Sequence, residues 1–156
     1  MSNIIAAVNI RRREAALALF QGIHLQGLIV RHIPTDYHRA DNAIVSLAHE
    51  ACSRYSISSV AIEQGKRSSA RITHGYKSMC EAFQEESASV EEVPYAVLLE
   101  SYAYRPLRLR HHLRKIAKKL WPVLDSKRYG NAALDAVIVG LHIQTKRLLN
   151  IHENEQ

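Results

Sequence analysis

The chain has no long apolar run. None of its hydrophobic stretches approaches the roughly 18 residues that a membrane-spanning helix needs. Its first residues pass into a strand-like run with no basic region ahead of it, which predicts no signal peptide and a cytoplasmic protein. Internal repeats, low-complexity segments and long linkers are also missing. The sequence therefore predicts one domain over residues 1–156, with no membrane partner.

Cysteine is scarce, because Cys52 and Cys80 are the only two in the chain. Both fall on apolar faces of predicted helices. We expect them to be small core residues in a reducing compartment. A disulfide or a metal site is the alternative.

Acidic residues are outnumbered: 15 Asp and Glu face 21 Lys and Arg, for a net charge of +6. This balance favours a polyanionic partner, with nucleic acid first among them, and a solvated basic protein is the alternative. Basic groups concentrate after residue 9, after residue 63 and in a predicted helix over 105–119. The residues that we expect to contact DNA are Arg11, Arg12, Arg13, Lys66, Arg67, Arg71, Arg114 and Lys118.

Apolar runs separated by short polar links fill the first part of the chain. Ile4 to Ile10 is interrupted only by Asn9, a second run covers 15–20, and a third covers 24–33 before Pro34. Three strands with short links predict an antiparallel meander.

Helical and strand patterns alternate in the rest of the chain. Helical spacing predicts an amphipathic helix over 41–54 with Asp41 as its cap, and a second helix capped by Ser68 or Ser69. Short strands are predicted at 60–64 and 90–95, a short helix at 96–104, and the last helix at about 131–149. This order predicts an α/β domain with a mixed sheet.

The run over 60–64 reads as a buried strand that ends in the single carboxylate of Glu63. A buried acid is unfavourable unless a metal or a hydrogen-bond donor pairs with it. A second acid, Asp135, opens the apolar run of the last helix. These two acids are candidates for a shared site, and the alternative is a pair of structural acids, each capped or salt-bridged.

Three short motifs carry a resemblance to a known family. They resemble motifs of the RNase H-like superfamily, and within it of the RuvC type of Holliday junction resolvase, and they follow one another along the chain in the family's order. The three segments are 5–9 (IAAVN), 61–64 (AIEQ) and 133–139 (ALDAVIV). The resemblance implies a mixed five-stranded sheet, made of a three-stranded antiparallel meander plus parallel strands and flanked by helices. It also implies that Asn9, Glu63 and Asp135 converge as the catalytic set.

The same resemblance implies a homodimer that cuts branched DNA with two Mg²⁺ or Mn²⁺ ions. The implied ligands are Asn9, Glu63 and Asp135, with Asn131 one helical turn before the last acid. Asn9 departs from the family, which has Asp there, and the loss of one negative charge is expected to weaken metal binding. Two explanations fit: a natural pseudo-nuclease, or a change that inactivates a nuclease.

The sequence thus supports three hypotheses about function. The first is a DNA-binding, RuvC-like protein that acts, if active, as a structure-specific endonuclease. The second is a non-catalytic pseudo-nuclease that serves as a DNA-binding or protein-interaction scaffold. The third is an interaction module whose acidic stretch over 81–101 meets a basic partner.

Overall fold

A computed structural model of the chain describes residues 3–64, 70–94, 114–126 and 130–154. The strands are β1 (Ile4–Ile10), β2 (Glu14–Gln21), β3 (His24–His32), β4 (Ile57–Gln64) and β5 (Ser89–Pro94). The helices are α1 (Tyr37–Arg54), α2 (Ala70–Glu85), α3 (114–120), α4 (Val123–Ser126) and α5 (Asn131–Asn154).

The five strands form one mixed sheet in the order β3-β2-β1-β4-β5. The pairs β1–β2 and β2–β3 are antiparallel, whereas β1–β4 and β4–β5 are parallel. β1 is therefore the central strand, with a partner on each side, which explains its nearly continuous apolar sequence. The predicted α/β class, with a meander plus parallel strands, is confirmed.

Helices cover both faces of the sheet, and each face has its own core. Because side chains alternate along a strand, Ala6 and Val8 of β1 pack on the side of α1 and α2, whereas Ala7 packs on the side of α5. The same alternation divides β4, where Ile62 faces α1 and α2 and Ala61 faces α5. A polar side chain at the end of β1 or β4 therefore faces α5 when its residue number is odd, and faces α1 and α2 when the number is even.

α5 approaches β2 closely at Gly140. A Cβ atom built on Gly140 would lie 2.2 Å from Cε2 of Phe20, which is fully buried. Phe20 cannot move aside easily, because its ring packs edge-on against Trp121 with 5.3 Å between ring centroids. Gly140 thus sets the distance between the last helix and the sheet.

Replacing Gly140 with Ala is expected to lower the free energy of unfolding by about 2 kcal/mol, because overpacking a filled core displaces buried side chains. Urea unfolding would measure the change. The double variant Gly140→Ala, Phe20→Leu should recover part of the loss, since it removes atoms that the new methyl group meets. A Gly140→Ala protein as stable as the parent would contradict this account of the α5 contact.

The predicted start of the first helix was wrong. α1 begins at Tyr37, and Asp36 caps it by accepting a hydrogen bond from the backbone N–H of His38 at 3.2 Å. Asp41 lies inside the helix, where its carboxylate accepts a hydrogen bond from the Ser78 hydroxyl of α2. The polar residues 36–39 concealed this first turn, because its only buried side chain is that of Ala40.

Other boundaries differ by a few residues. β4 begins at Ile57 and not at residue 60, β5 spans Ser89–Pro94, and α5 continues to Asn154. Ser58 and Ser59 lie within β4. The predictions for Ser68, Ser69, the short helix over 96–104 and the basic helix before residue 114 lie outside the described residues.

Both cysteines are free. Burial raises the pKa of the Cys80 thiol to about 11, and the nearby Glu92 carboxylate adds to this effect. Burial also raises the pKa of Cys52, with a contribution from Glu86. Both thiols are therefore protonated at neutral pH, which is unfavourable for metal ligation or nucleophilic attack. Among the described elements, no helix is long and apolar enough to cross a membrane.

Candidate functional site

Asn9 and Glu63 stand at the same ends of two neighbouring parallel strands. The register aligns Val8 of β1 with Ile62 of β4, so the next residues along each strand are Asn9 and Glu63. Both side chains are buried, on the face of the sheet that α5 covers. The amide Nδ2 of Asn9 donates a hydrogen bond to Oε2 of Glu63.

The contact fixes the orientation of the Asn9 amide. A carboxylate only accepts hydrogen bonds, so the NH₂ group of Asn9 faces Glu63 and the carbonyl oxygen faces away. Within the part of the chain that the structure describes, this Oδ1 atom is buried and has no hydrogen-bond partner. The ends of β1 and β4 therefore bring together two oxygen atoms. Oε2 of Glu63 accepts a hydrogen bond, and among the described residues Oδ1 of Asn9 has no hydrogen-bond partner.

Asp135 lies in the second turn of α5 and is fully buried. Arg114 of α3 binds it with two parallel hydrogen bonds, Nε to Oδ1 at 2.8 Å and Nη2 to Oδ2 at 2.9 Å. Arg11, which follows β1, also donates from Nη2 to Oδ2. The carboxylate thus joins α5 to α3 and to the end of β1.

Positive charges around Asp135 compensate for the burial of its carboxylate. A fully buried carboxylate is unfavourable by itself, and two guanidinium groups supply opposite charge and fixed donors. Both arginines retain some contact with solvent, 39% of the side chain for Arg11 and 20% for Arg114. The two ion pairs therefore stabilise the buried carboxylate of Asp135. The solvent-exposed parts of the two arginines lower the desolvation penalty of burying these charges.

The three residues that the sequence predicts as one site lie in two groups. One is the Asn9–Glu63 hydrogen bond, and the other is Asp135 with its two arginines. Arg11 connects them along the chain, two residues after Asn9. Asn131, the predicted fourth ligand, is the exposed first residue of α5, one turn before Asp135.

Sequence reasoning missed the pairing of Arg11 and Arg114 with Asp135, and assigned both arginines to DNA contact. A signal for Arg11 was available: in an extended chain, residues two apart share a face, so Arg11 follows Asn9 toward α5. For Arg114 there was no local signal, because 21 residues separate it from Asp135.

The residues present do not fit a pair of divalent ions. Asn9 contributes a neutral amide to this site, and the Asp135 oxygens accept from guanidinium groups whose charge would repel a cation. Across the described ranges, no three His, Cys, Asp or Glu side chains cluster in a way that could hold a metal. Positive charge at this site is supplied by arginine.

Exposed basic residues lie next to the site. Arg12 and Arg13 form the tip of the hairpin between β1 and β2, which closes where the Arg11 N–H donates to the Glu14 carbonyl at 2.8 Å. Lys118 of α3 is partly buried. Of the other residues expected to contact DNA, Lys66 and Arg67 lie outside the described residues, as does the side chain of Arg71.

Part of the acidic stretch is engaged within the fold where the structure describes it. Glu86 binds Nδ1 of His49 at 2.6 Å, and Glu91 binds Lys146 of α5 at 2.6 Å. Glu92 faces Cys80 of α2. These internal contacts reduce the acidic surface on which the third hypothesis depends.

Comparison with known proteins supports the fold. No protein-family model and no curated protein matches the chain. Among solved structures, it is similar to T. thermophilus RuvC in complex with a Holliday junction substrate, with TM-score 0.69 and 12% identity, covering 94% of this chain and 96% of the other. A Thermus thermophilus RuvC structure gives TM-score 0.68 and 13% identity, covering 93% and 96%. The chain therefore has the RuvC-like form of the RNase H-like fold.

Proposed function

We propose that this protein binds DNA on a RuvC-like fold and does not use a metal pair for catalysis. The observation that carries the proposal is the pairing of the Asp135 carboxylate with Arg11 and Arg114, whose positive charges compensate its negative charge. The Asn9–Glu63 hydrogen bond supports it, because it replaces repulsion between two acids with an attractive contact. The arrangement favours the non-catalytic hypothesis over the endonuclease.

Binding of DNA is supported by charge and by position. The net charge is +6, and Arg12 and Arg13 are exposed at the hairpin tip beside the buried acids. Among the described residues, neither arginine has a carboxylate partner, so both are available for phosphate. Branched DNA is the first ligand to test, because one similar structure is RuvC with a Holliday junction substrate. The proposal includes a homodimer, which light scattering would test.

The double variant Arg12→Ala, Arg13→Ala is expected to weaken binding to a four-way junction and to duplex DNA alike, because phosphate contacts carry no base information. If both side chains contact phosphates, the slope of log K against log salt should become smaller by about 2. Fluorescence anisotropy at four salt concentrations would measure both quantities.

Arg54→Ala is a suitable control for this experiment. Arg54 is an exposed arginine at the far end of α1, paired with Glu50, and its removal takes away the same type of charge. It should leave the slope unchanged. Unchanged affinity in Arg12→Ala, Arg13→Ala would show that the hairpin tip does not contact DNA. If the parent chain does not bind DNA at any salt concentration, the proposed function is wrong.

A second candidate function is a structure-specific endonuclease that uses Mg²⁺ or Mn²⁺. One observation favours it: the buried Oδ1 of Asn9 has no hydrogen-bond partner among the described residues and lies next to the Glu63 carboxylate, so it is free to act as a metal ligand. Hard cations prefer such oxygens. Calorimetry of the parent chain with Mn²⁺ distinguishes the two candidates, since heat of binding at a stoichiometric site supports the endonuclease and its absence supports the first proposal.

A further inference from the structure

The hairpin tip of Arg12 and Arg13 has no local feature that fixes its shape. The link from β1 to β2 consists of three arginines, and it lacks Gly, Asn and Asp, which favour tight turns. In the described part of the chain, Ser87 is the one non-glycine residue with a positive φ, so neither tip residue adopts the conformation of the commonest two-residue hairpin turns. The three neighbouring positive charges also repel one another. The order of the tip must therefore come from contacts with other elements.

Asp135 anchors the residue before the tip. Arg11 donates from Nη2 to Oδ2 of Asp135, whose carboxylate is fully buried. Arg114 holds the same carboxylate with two hydrogen bonds, from Nε to Oδ1 and from Nη2 to Oδ2. Because Asp135 is fixed by its own helix and by Arg114, it cannot follow a movement of Arg11. The N-terminal side of the tip is thus attached to the second turn of α5.

Glu14, the residue after the tip, is anchored at the start of the same helix. A Cβ atom built on Gly130 would lie 3.3 Å from Oε2 and 3.5 Å from Oε1 of Glu14. Gly130 immediately precedes α5, and its missing side chain lets the carboxylate approach the first turn. Free backbone N–H groups give a helix N-terminus partial positive charge, which attracts an acid. Both sides of the tip are therefore attached to α5.

Two backbone hydrogen bonds complete the frame around the tip. The Arg11 N–H donates to the Glu14 carbonyl at 2.8 Å, and the Ile33 N–H donates to the Arg13 carbonyl at 2.9 Å. The side chains of Arg12 and Arg13 remain exposed, and among the described residues neither has a carboxylate partner. The internal acids thus bind the frame and leave the two charges of the tip available to an external anion.

We infer that Asp135 and Glu14 are positioning residues for DNA binding, because they hold Arg12 and Arg13 in the arrangement in which both side chains reach phosphates. The inference rests on the proposed function for the ligand. Ordering a mobile loop or side chain on binding lowers affinity, and a frame that imposes this order beforehand removes that loss. Asp135 acts through Arg11, and Glu14 acts through the turn.

Charge alone predicts the opposite effect for Glu14. This acid lies beside two arginines that bind phosphate in the proposed function. If it acted only by repelling DNA, its removal would strengthen DNA binding. As a positioning residue, it is needed for full affinity, and its removal weakens binding. The sign of the change in Glu14→Ala therefore separates the two roles.

The order of the tip is measured first in the free protein, by NMR relaxation at the backbone amides of Arg12 and Arg13. We expect order parameters of about 0.85 in the parent chain, and values below about 0.6 in Arg11→Met and in Glu14→Ala. Met keeps the aliphatic stem of Arg11 and removes its hydrogen-bond donors. Arg11→Lys retains a donor and the charge, and Arg54→Ala removes a distant arginine, so both should keep the order of the parent.

Fluorescence anisotropy with a four-way junction then measures binding. Arg11→Met and Glu14→Ala should each weaken binding about fivefold, at the lower end of the cost of ordering two side chains. The slope of log K against log salt should not change, because no phosphate contact is lost. Asp135→Asn raises the net charge by one and should nevertheless weaken binding; Arg11→Met tests the same link if Asp135→Asn does not fold. Arg11→Lys should bind like the parent.

Unchanged order at the tip in both Arg11→Met and Glu14→Ala would overturn the inference, as would tighter DNA binding by Glu14→Ala. A slope smaller by about 1 in Arg11→Met would show that Arg11 itself contacts a phosphate, and would overturn its role as a link. A parent chain that does not bind DNA, with a tip that loosens in both variants, would refute the proposed function alone. A parent chain that binds DNA, with a tip equally ordered in the variants, would refute the inference alone.

Discussion

Replacing Arg114 with Ala is expected to lower the free energy of unfolding by about 3 kcal/mol, because it removes the bidentate partner of a fully buried carboxylate. Arg11 still contacts Asp135 in this variant, which places the expected loss at the lower end for broken buried pairs. The unfolding midpoint in urea, at constant slope, measures the change.

Two further variants separate the ion pair from other effects. Lys119→Ala removes an exposed positive charge from the same helix and should change stability by less than about 0.5 kcal/mol. In the Arg114→Ala background, Asp135→Asn should recover part of the loss, because an amide no longer requires opposite charge. If Arg114→Ala is as stable as Lys119→Ala, Asp135 is not held by its arginine partner.

Changing Asn9 to Asp is expected to destabilise the protein by about 3 kcal/mol at neutral pH, since it replaces a hydrogen-bond donor with a second buried carboxylate beside Glu63. The loss should shrink as the pH falls, because one of the two carboxyl groups can then keep a proton and donate it to the other. Mn²⁺ at 100 times its dissociation constant should recover about 2.7 kcal/mol by binding the folded state. Thermal melts with and without Mn²⁺ would show both effects.

The parent chain should melt identically with and without Mn²⁺, and Asn9→Asp, Glu63→Gln should lose most of the metal response. Junction cleavage by Asn9→Asp alone, with Mg²⁺ present, would favour the endonuclease as the origin of this site. No metal response in any variant would show that the arginines around Asp135 exclude cations even when position 9 carries an acid.

The sheet was predictable because its strands carry strong local signals. β1 is buried on both faces and reads as one apolar run, and short polar links at residues 11–13 and 22–23 leave the meander as the simplest arrangement. The start of α1 was not predictable in the same way. Its first turn is polar, and two candidate caps, Asp36 and Asp41, lie within five residues of each other.

Among the candidate site residues, the contact between Asn9 and Glu63 was predictable from the sequence, and the contacts of Asp135 were not. Motif order identified Asn9, Glu63 and Asp135, and strand register explains the first pair. In the part of the chain that the structure describes, Asp135 is bound by arginines from two segments distant in sequence, and a basic side chain gives no indication of whether it binds an internal acid or an external phosphate. Only the three-dimensional position of Arg11 and Arg114 resolves that choice.

The position of β1 in the sheet has a consequence for the nascent chain. β1 pairs first with β2, its neighbour in sequence, and its other partner is β4, where Asn9 and Glu63 are 54 residues apart. At roughly 5 to 20 residues per second, translation leaves the second edge of β1 unpaired for roughly 3 to 11 seconds. During that time, an apolar strand with open backbone donors and acceptors is a template for pairing with another nascent chain. The central strand β1 therefore pairs on one edge early in folding and on the other edge late. Until β4 has been synthesised, its unpaired edge is a site for intermolecular β-pairing and aggregation.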